Sequence, residues 1–435
     1  MSVYKQFAKY VSQNILGMLG ISCYIIADTF FISKAAGANG ITVLNLVLPI
    51  YNLIFAIGSM VGVGSATRFA ILRARNEEAA DDYFSNGIFW VCIFSILFIL
   101  GGIFLPDKIL MLMGADEVIV SLGIGYTRIF LLFSPFFMMN YIFSAFVRND
   151  HDPSLAMVAT VAGSLSNIVF DYVFMFVFGW GLEGAAAATA ASPIISIAIC
   201  LIHFVKKSNT IRFRIKKPDF RKLTESVPLG VPAFIGELSS GVTTTIFNFL
   251  ILGIAGNIGV AAYGVIANFA LVAMSIFNGI SQGSQPLISN YYGKGERRSA
   301  EKVLKLGMMT SLAAACVLFL IVYGFTGQLV SLFNSENSRE LAEYAFTGMR
   351  LYFTGFFFAG LNIAGCGYLS ATEQARPAFV ASLLRGVIAI ALCSVILAAV
   401  LGMNGVWMSF AAAEMITLFV TMFFCFVKPR RLRHE

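Results

Sequence analysis

Gly62-Val63-Gly64-Ser65, followed by Arg73-Ala74-Arg75-Asn76-Glu77, returns later in the chain as Ser281-Gln282-Gly283-Ser284 and Tyr292-Gly293-Lys294-Gly295-Glu296. Gly40, Gly64, Ser65 and Glu77 each find the same residue 219 positions on, at Gly259, Gly283, Ser284 and Glu296. The echo continues with Arg128 and Arg350, then Pro153 and Pro377, the lag drifting only to 222 and 224. One match of this kind would be chance; an ordered set describes a duplication. Two copies of one design in an apolar chain are the signature of a transporter whose pathway lies between the repeats.

Of the 435 residues, 58% are hydrophobic and only 12% charged, and the mean hydropathy is +0.82. No water-soluble core of this length hides that much apolar surface, so the bilayer is the solvent. A helix needs about 20 apolar residues to cross the hydrocarbon. Twelve such stretches are predicted, near residues 10–33, 42–66, 84–105, 118–145, 154–178, 184–205, 226–252, 260–289, 303–326, 340–368, 378–400 and 406–427. A barrel would need shorter strands alternating in polarity, whereas these runs are continuously apolar. The expected fold is an all-α polytopic membrane protein, twelve transmembrane helices forming two six-helix bundles related by pseudo-two-fold symmetry. The expected boundaries are 1–205 for the first bundle, 206–222 for a basic linker and 223–435 for the second. The start of the chain resembles a signal peptide, but Gln13, Asn14 and Asp28 interrupt its apolar run and no small-residue cleavage site follows, so it reads as a retained helix.

The net charge of +7 is distributed by membrane side rather than shaped for nucleic acid. Of the 30 Lys and Arg, Lys34, Lys108 and Arg339 fall in odd-numbered loops and Arg128, Arg350 and Arg385 inside spans; the other 24 lie at the termini and even-numbered connections. By the positive-inside rule the linker and both termini are expected in the cytoplasm, most naturally of a prokaryotic cell. A grip on anionic lipid headgroups is the alternative reading of the linker, but topology determination alone explains its charge. The seven cysteines show no metal-clamp spacing, and His151, His203 and His434 map to the cytoplasmic edge or tail.

Carboxylates at membrane depth cost about 3 to more than 10 kcal/mol, so each calls for a partner or a function. The candidates are Asp28, Asp171, Glu237 and Glu414. Asn167 and Asp171 stand one helical turn apart and share a face, with Ser164 a turn earlier. A position of Asp171 at the water interface is the alternative reading.

Ala27-Asp28-Thr29-Phe30-Phe31-Ile32-Ser33, the run from Asn167 and Asp171 through Gly179, Gly181 and Gly184 to Thr189 and Ser192, and the duplicated twelve-span layout resemble the multidrug and toxic compound extrusion (MATE) transporters over the whole chain. The resemblance implies a V-shaped pair of bundles, export of bulky cationic or amphiphilic compounds, and energy from a proton or sodium gradient. It also implies that Asp28, Asn167, Asp171 and Thr189 build the ion-coupling and substrate network of the first bundle, where a sodium ion is the possible metal. Glu237 matches an acidic position of the sodium-coupled branch and is expected in the second bundle. That branch also carries an acid in the tenth span, where this chain reads Phe356-Phe357-Phe358-Ala359-Gly360-Leu361-Asn362, so a proton is the favoured coupling ion. Arg385 and Glu414 are expected to form a buried pair organising the second bundle. Met139, Asn140 and Tyr141, beside Pro135, are candidate pocket residues, and clusters such as Phe136-Phe137 offer a soft wall for organic cations.

The function expected is a cation-coupled multidrug efflux antiporter working by alternating access, a monomer in the bilayer with no cofactor and no nucleic-acid partner. A lipid-linked oligosaccharide flippase of the same superfamily would want basic residues in its cavity, and the deep arginines are few. A membrane-embedded enzyme would need a nucleophile and base or metal ligands at depth. The nearest catalytic string, His151-Asp152-Pro153-Ser154, reads better as a turn in which Asp152 or Ser154 caps the next helix.

Overall fold

The computed structural model describes residues 2–214, 216–333 and 338–427, so His434 lies outside the described residues. Every regular element among them is helical, as a bilayer requires of any segment that must satisfy its own backbone. Among the described residues nine helices are long and apolar enough to cross a membrane, and a tenth crossing is the bent pair Glu117–Leu132 and Ser134–Asn149.

Breaks in the helices complete the set of twelve. Phe220–Gly293 runs for 74 residues, about 110 Å at 1.5 Å per residue and far more than one bilayer. It is interrupted at Gly256 (φ 63, ψ −157), which separates the seventh span from the eighth. Gly37 (φ 60, ψ −149) separates Val3–Gly37 from Asn39–Ala74 in the same way. The two glycines are one repeat apart, and their left-handed φ with nearly extended ψ is a conformation only glycine adopts freely. The tenth span is built from Arg339–Phe353 and Phe356–Ala371. The third, fifth, sixth, ninth, eleventh and twelfth are Glu78–Phe104, Pro153–Val177, Gly181–Val205, Arg297–Ser331, Ala375–Leu401 and Met403–Val427.

The duplication read from the sequence is visible in backbone geometry. Asn76 (φ 59) and Gly295 (φ 77), His151 (φ 67) and Glu373 (φ 59), and Gly181 (φ 54) and Gly402 (φ 60) are three further pairs of turns in matching repeat positions. The fourth span bends by 43° where Pro135, lacking an N–H, opens its second half.

The chain forms two compact units: Leu16–Glu237 with Ser289–Gly295, and Met1–Ile15 with Leu238–Ile288 and Glu296–Glu435. Within the first, the opening turns of the seventh span lie backbone to backbone on the second span. A Cβ on Gly64 would stand 2.3 Å from the Ser226 carbonyl oxygen, and one on Gly230 would stand 1.9 Å from that of Met60. Small residues permit this approach where lipid supplies no hydrophobic drive for helix association. Its interior is aromatic: Tyr51 stacks on Phe130 at 3.8 Å and Phe130 on Phe137 at 4.5 Å. The other unit is filled likewise, with Tyr352 stacked on Phe410 at 4.4 Å.

Candidate functional site

The fifth span carries the polar face that the one-turn spacing of Asn167 and Asp171 predicts. Both side chains are fully buried, with Asp28 of the first span and Thr189 of the sixth nearly so. Fully buried, the Asp171 side chain does not snorkel out to water as the alternative reading had it. The small-residue run Ala185–Ala188 lets the sixth span close on the fifth, and Ser192 Oγ donates to the Gly163 carbonyl at 2.9 Å. Gly17 and Gly20 bring the first span against Thr160 and Ser164 of the fifth.

Asn167 links the sixth span to the acid. With its amide oriented to satisfy both neighbours, its NH2 donates to Asp171 Oδ2 at 3.2 Å while its carbonyl accepts from the Thr189 backbone N–H at 3.3 Å. Asp171 Oδ1 and Asp28 Oδ1 are buried with no hydrogen-bond partner among the described residues. Neither carboxylate has a basic partner there. Ser164 returns its hydroxyl to the Thr160 carbonyl at 2.9 Å, so it packs beside the network without joining it. Immediately after Asp171 the helix widens into a single π turn, Val173–Val177, a local loosening frequent at functional sites.

Three tyrosines surround the acids and escape the sequence reading. They are Tyr24 on the first span, Tyr51, which stacks on Phe130 at 3.8 Å, and Tyr126, whose hydroxyl is buried with no partner among the described residues. Tyr24 was findable, since it precedes Asp28 by one helical turn. Tyr51 and Tyr126 lie on other spans, and no spacing links them to Asp28.

Glu237 requires a correction. It was expected in the second bundle, yet it belongs to the compact unit Leu16–Glu237, carried there by the glycine contacts of the seventh span. Its Oε1 accepts from the Tyr141 hydroxyl at 3.2 Å, which unites it with one of the pocket candidates. Asn140 holds a buried Oδ1 with no partner among the described residues, and Met139 packs against the apolar core. Of the proposed aromatic wall, Phe137 is buried in the core and Phe136 is exposed.

In the other unit Arg385 and Glu414 do form the expected pair, Nε to Oε1 at 2.7 Å. Asn362 Nδ2 donates to Glu414 Oε2 at 2.7 Å, a partner the sequence did not reveal. No group of three or more His, Cys, Asp or Glu suited to a metal ion occurs among the described residues.

The basic linker is tied down by acids. Asp81 receives Arg73 and Arg214, and Asp82 receives Lys216 at 2.9 Å and Lys222 at 2.5 Å. Buried His203 places one ring nitrogen 2.8 Å from Asp150 and the other 3.3 Å from Asp152. Asp152 also accepts from Lys206 at 2.6 Å and, as the expected cap, from the Leu155 N–H at 3.2 Å. Burial would push the Asp152 carboxyl up, but these hydrogen bonds and the Lys206 charge outweigh it and hold it below its ordinary value.

Comparison with known proteins places this architecture. The chain is 26% identical over 434 residues to the multidrug export protein MepA of Staphylococcus saprophyticus, covering 99% of this chain and 95% of that one. It is equally similar over 433 residues to MepA of Staphylococcus aureus strain MRSA252, with the same coverage. Among solved structures, the outward-facing conformation of a multidrug resistance MATE family transporter of the MOP superfamily superposes with a TM-score of 0.93 at 21% identity, over 100% of this chain and 98% of that one. A MATE in complex with MaL6 gives 0.94 at 20% identity with the same coverage. The MatE family profile matches twice, over residues 14–173 and 232–395, reproducing the spacing of the internal echo. The protein, a multi-pass membrane protein duplicated in sequence and backbone, therefore belongs to the MatE family of transporters.

Proposed function

We propose that the chain is a cation-coupled multidrug efflux antiporter that exports organic cations and amphiphilic compounds by alternating access, with the proton as coupling ion. The observation that carries this reading is the pair Asp28 and Asp171: two carboxylates buried within a membrane bundle, Asp171 held by the Asn167 amide, and neither with a basic partner among the described residues. Such a site is neutralised either by protons or by a cation from outside. Competition between the two for the same oxygens is the simplest basis of antiport. A proton arriving at Asp28 or Asp171 removes the charge that holds an organic cation; its departure restores that charge for the next cargo.

The choice of ion follows from counting oxygens. Sodium wants roughly five or six ligands in a compact shell, whereas a proton wants one carboxylate. Asn167 spends its carbonyl on Thr189 and its NH2 on Asp171, and the buried oxygens near the acids without a partner among the described residues are Asp28 Oδ1, Asp171 Oδ1 and the Tyr126 hydroxyl, fewer than such a shell needs. The relatives named multidrug export proteins support the cargo class. The reading includes a monomer in the cell membrane with its linker and both termini in the cytoplasm. Export of a fluorescent organic cation from cells making the wild type, compared with Asp171→Asn at equal abundance, is the test. Loss of export is expected, and full export by the variant would remove the network from the mechanism.

A further inference from the structure

The second half holds a polar cluster that the first half lacks. Arg385 Nε donates to Glu414 Oε1 at 2.7 Å, while Asn362 Nδ2 donates to Glu414 Oε2 at 2.7 Å and to its backbone carbonyl at 2.8 Å. One repeat earlier, at lags of 222 and 221, Arg385 and Glu414 correspond to Gly163 and Pro193. There the fifth and sixth spans close directly, and a Cβ on Gly163 would stand 3.1 Å from the Ser192 carbonyl oxygen. The duplicated fold therefore makes this junction without charge. A buried ion pair is often no more stabilising than apolar packing of the same volume, and in a membrane its members are costly. Folding alone gives no reason for the pair.

What the cluster leaves unfilled indicates its use. Both Glu414 carboxylate oxygens are taken. Arg385 directs one N–H to Glu414, and its only other hydrogen-bond contact among the described residues is Met274 Sδ, 3.9 Å from Nη2. Its side chain is 14% exposed and rides on a single π turn, Leu384–Ile388, the same local distortion that follows Asp171. Asn362 Oδ1 is fully buried and has no partner among the described residues. The surplus is a planar guanidinium edge, balanced in charge by Glu414 and held at fixed orientation. Such a fork matches a carboxylate in geometry, and because Glu414 already cancels its charge it adds no repulsion toward the cationic part of the same molecule.

We propose that Arg385 is a specificity-determining residue through which the second half binds the carboxylate of zwitterionic amphiphilic cargo, with Glu414 and Asn362 as its positioning residues. The proposal rests on the export reading above, and two dyes separate them. Rhodamine 123 is a cation; rhodamine 110 is the same dye with a free carboxylate in place of the methyl ester. Efflux of both by the wild type is expected. Failure to export rhodamine 123 would defeat the export reading itself, whereas export of rhodamine 123 without rhodamine 110 would overturn only the role of Arg385. In the double variant Arg385→Gln with Glu414→Gln, which leaves no lone charge, rhodamine 110 efflux should fall about tenfold, the loss of a charge-assisted contact, while rhodamine 123 stays within about twofold. Equal loss of both dyes, or no loss of either, contradicts the proposal. If the double variant does not elute as folded protein, Arg385→Lys decides, since it keeps the charge and loses the fork: rhodamine 110 binding to the purified protein, read by fluorescence anisotropy, should weaken while rhodamine 123 binding does not. Parallel changes in the two affinities would refute it.

Discussion

Gly230→Ala tests the contact that fixes the seventh span, and with it the placement of Glu237. The new Cβ would lie 1.9 Å from the Met60 carbonyl oxygen, 2.7 Å from its carbonyl carbon and 2.9 Å from its Cα. Comfortable contact begins near 3.5 Å, so the two helices must part by about 1.5 Å. Every atom met is backbone, which no rotamer change can remove, placing the cost toward the upper end of the about 1–3 kcal/mol usual for overpacking. Alanine returns about 0.8–1 kcal/mol over glycine inside a helix, leaving a net loss of about 2 kcal/mol. Gly236 lies on the same helix, and a Cβ there meets nothing within 4 Å. Gly236→Ala should therefore be neutral or stabilising by up to about 1 kcal/mol. The assay is thermal unfolding of the two purified variants and the wild type in one detergent at one scan rate, because unfolding of such proteins is commonly irreversible. A transition temperature for Gly230→Ala equal to that of Gly236→Ala would refute the close approach.

Further outcomes follow from the same geometry. Asn167→Ala removes the donor to Asp171 Oδ2 and should reduce efflux about tenfold or more; combined with Asp171→Asn the losses should be less than additive in a double-mutant cycle, and strict additivity would separate the two residues. Asp152 has a folded-state pKa below its unfolded value, so its stabilisation is fully present above about pH 4 and is lost as pH falls through the folded value. Asp152→Asn should accordingly unfold at lower temperature than wild type at pH 7, with the gap narrowing below about pH 4; a gap constant from pH 7 to 3 would contradict the assignment. A single cysteine at exposed Lys207 in a cysteine-free background should resist an impermeant thiol reagent in intact cells and react after lysis, and labelling before lysis would reverse the topology.

The fold was legible because duplication and hydropathy act along the chain. Gly37 and Gly256 occupy matching turns, and the spacing of Asn167 and Asp171 put both on one helical face before any packing was known. Asp28 stood out because a carboxylate in an apolar helix has no local reason to be there. The attachment of Glu237 was not legible, since it depends on Gly230 meeting Met60 far away in sequence. Asn362 looked like the absence of an acid rather than the partner of one, because an amide gains meaning only from the carboxylate it faces. The linker offered two readings, a topology signal or a lipid grip. The partners of Arg214, Lys216 and Lys222 are Asp81 and Asp82, more than 100 positions earlier, and no sequence period connects them. The π turns at Val173–Val177 and Leu384–Ile388 leave no mark in composition, since they rearrange backbone bonds within ordinary apolar helix.

The central claim is that Asp28 and its network exchange a proton for an organic cation. The direct measurement is uptake of a fluorescent organic cation by acid-loaded liposomes in sodium-free buffer, comparing wild type with Asp28→Asn, a change that keeps the shape of the side chain and removes its charge. The account predicts concentrative uptake by the wild type, collapse when the pH gradient is dissipated, and no driven uptake by Asp28→Asn protein that remains folded. Uptake that requires sodium at constant pH, or undiminished proton-driven uptake by the variant, would contradict it.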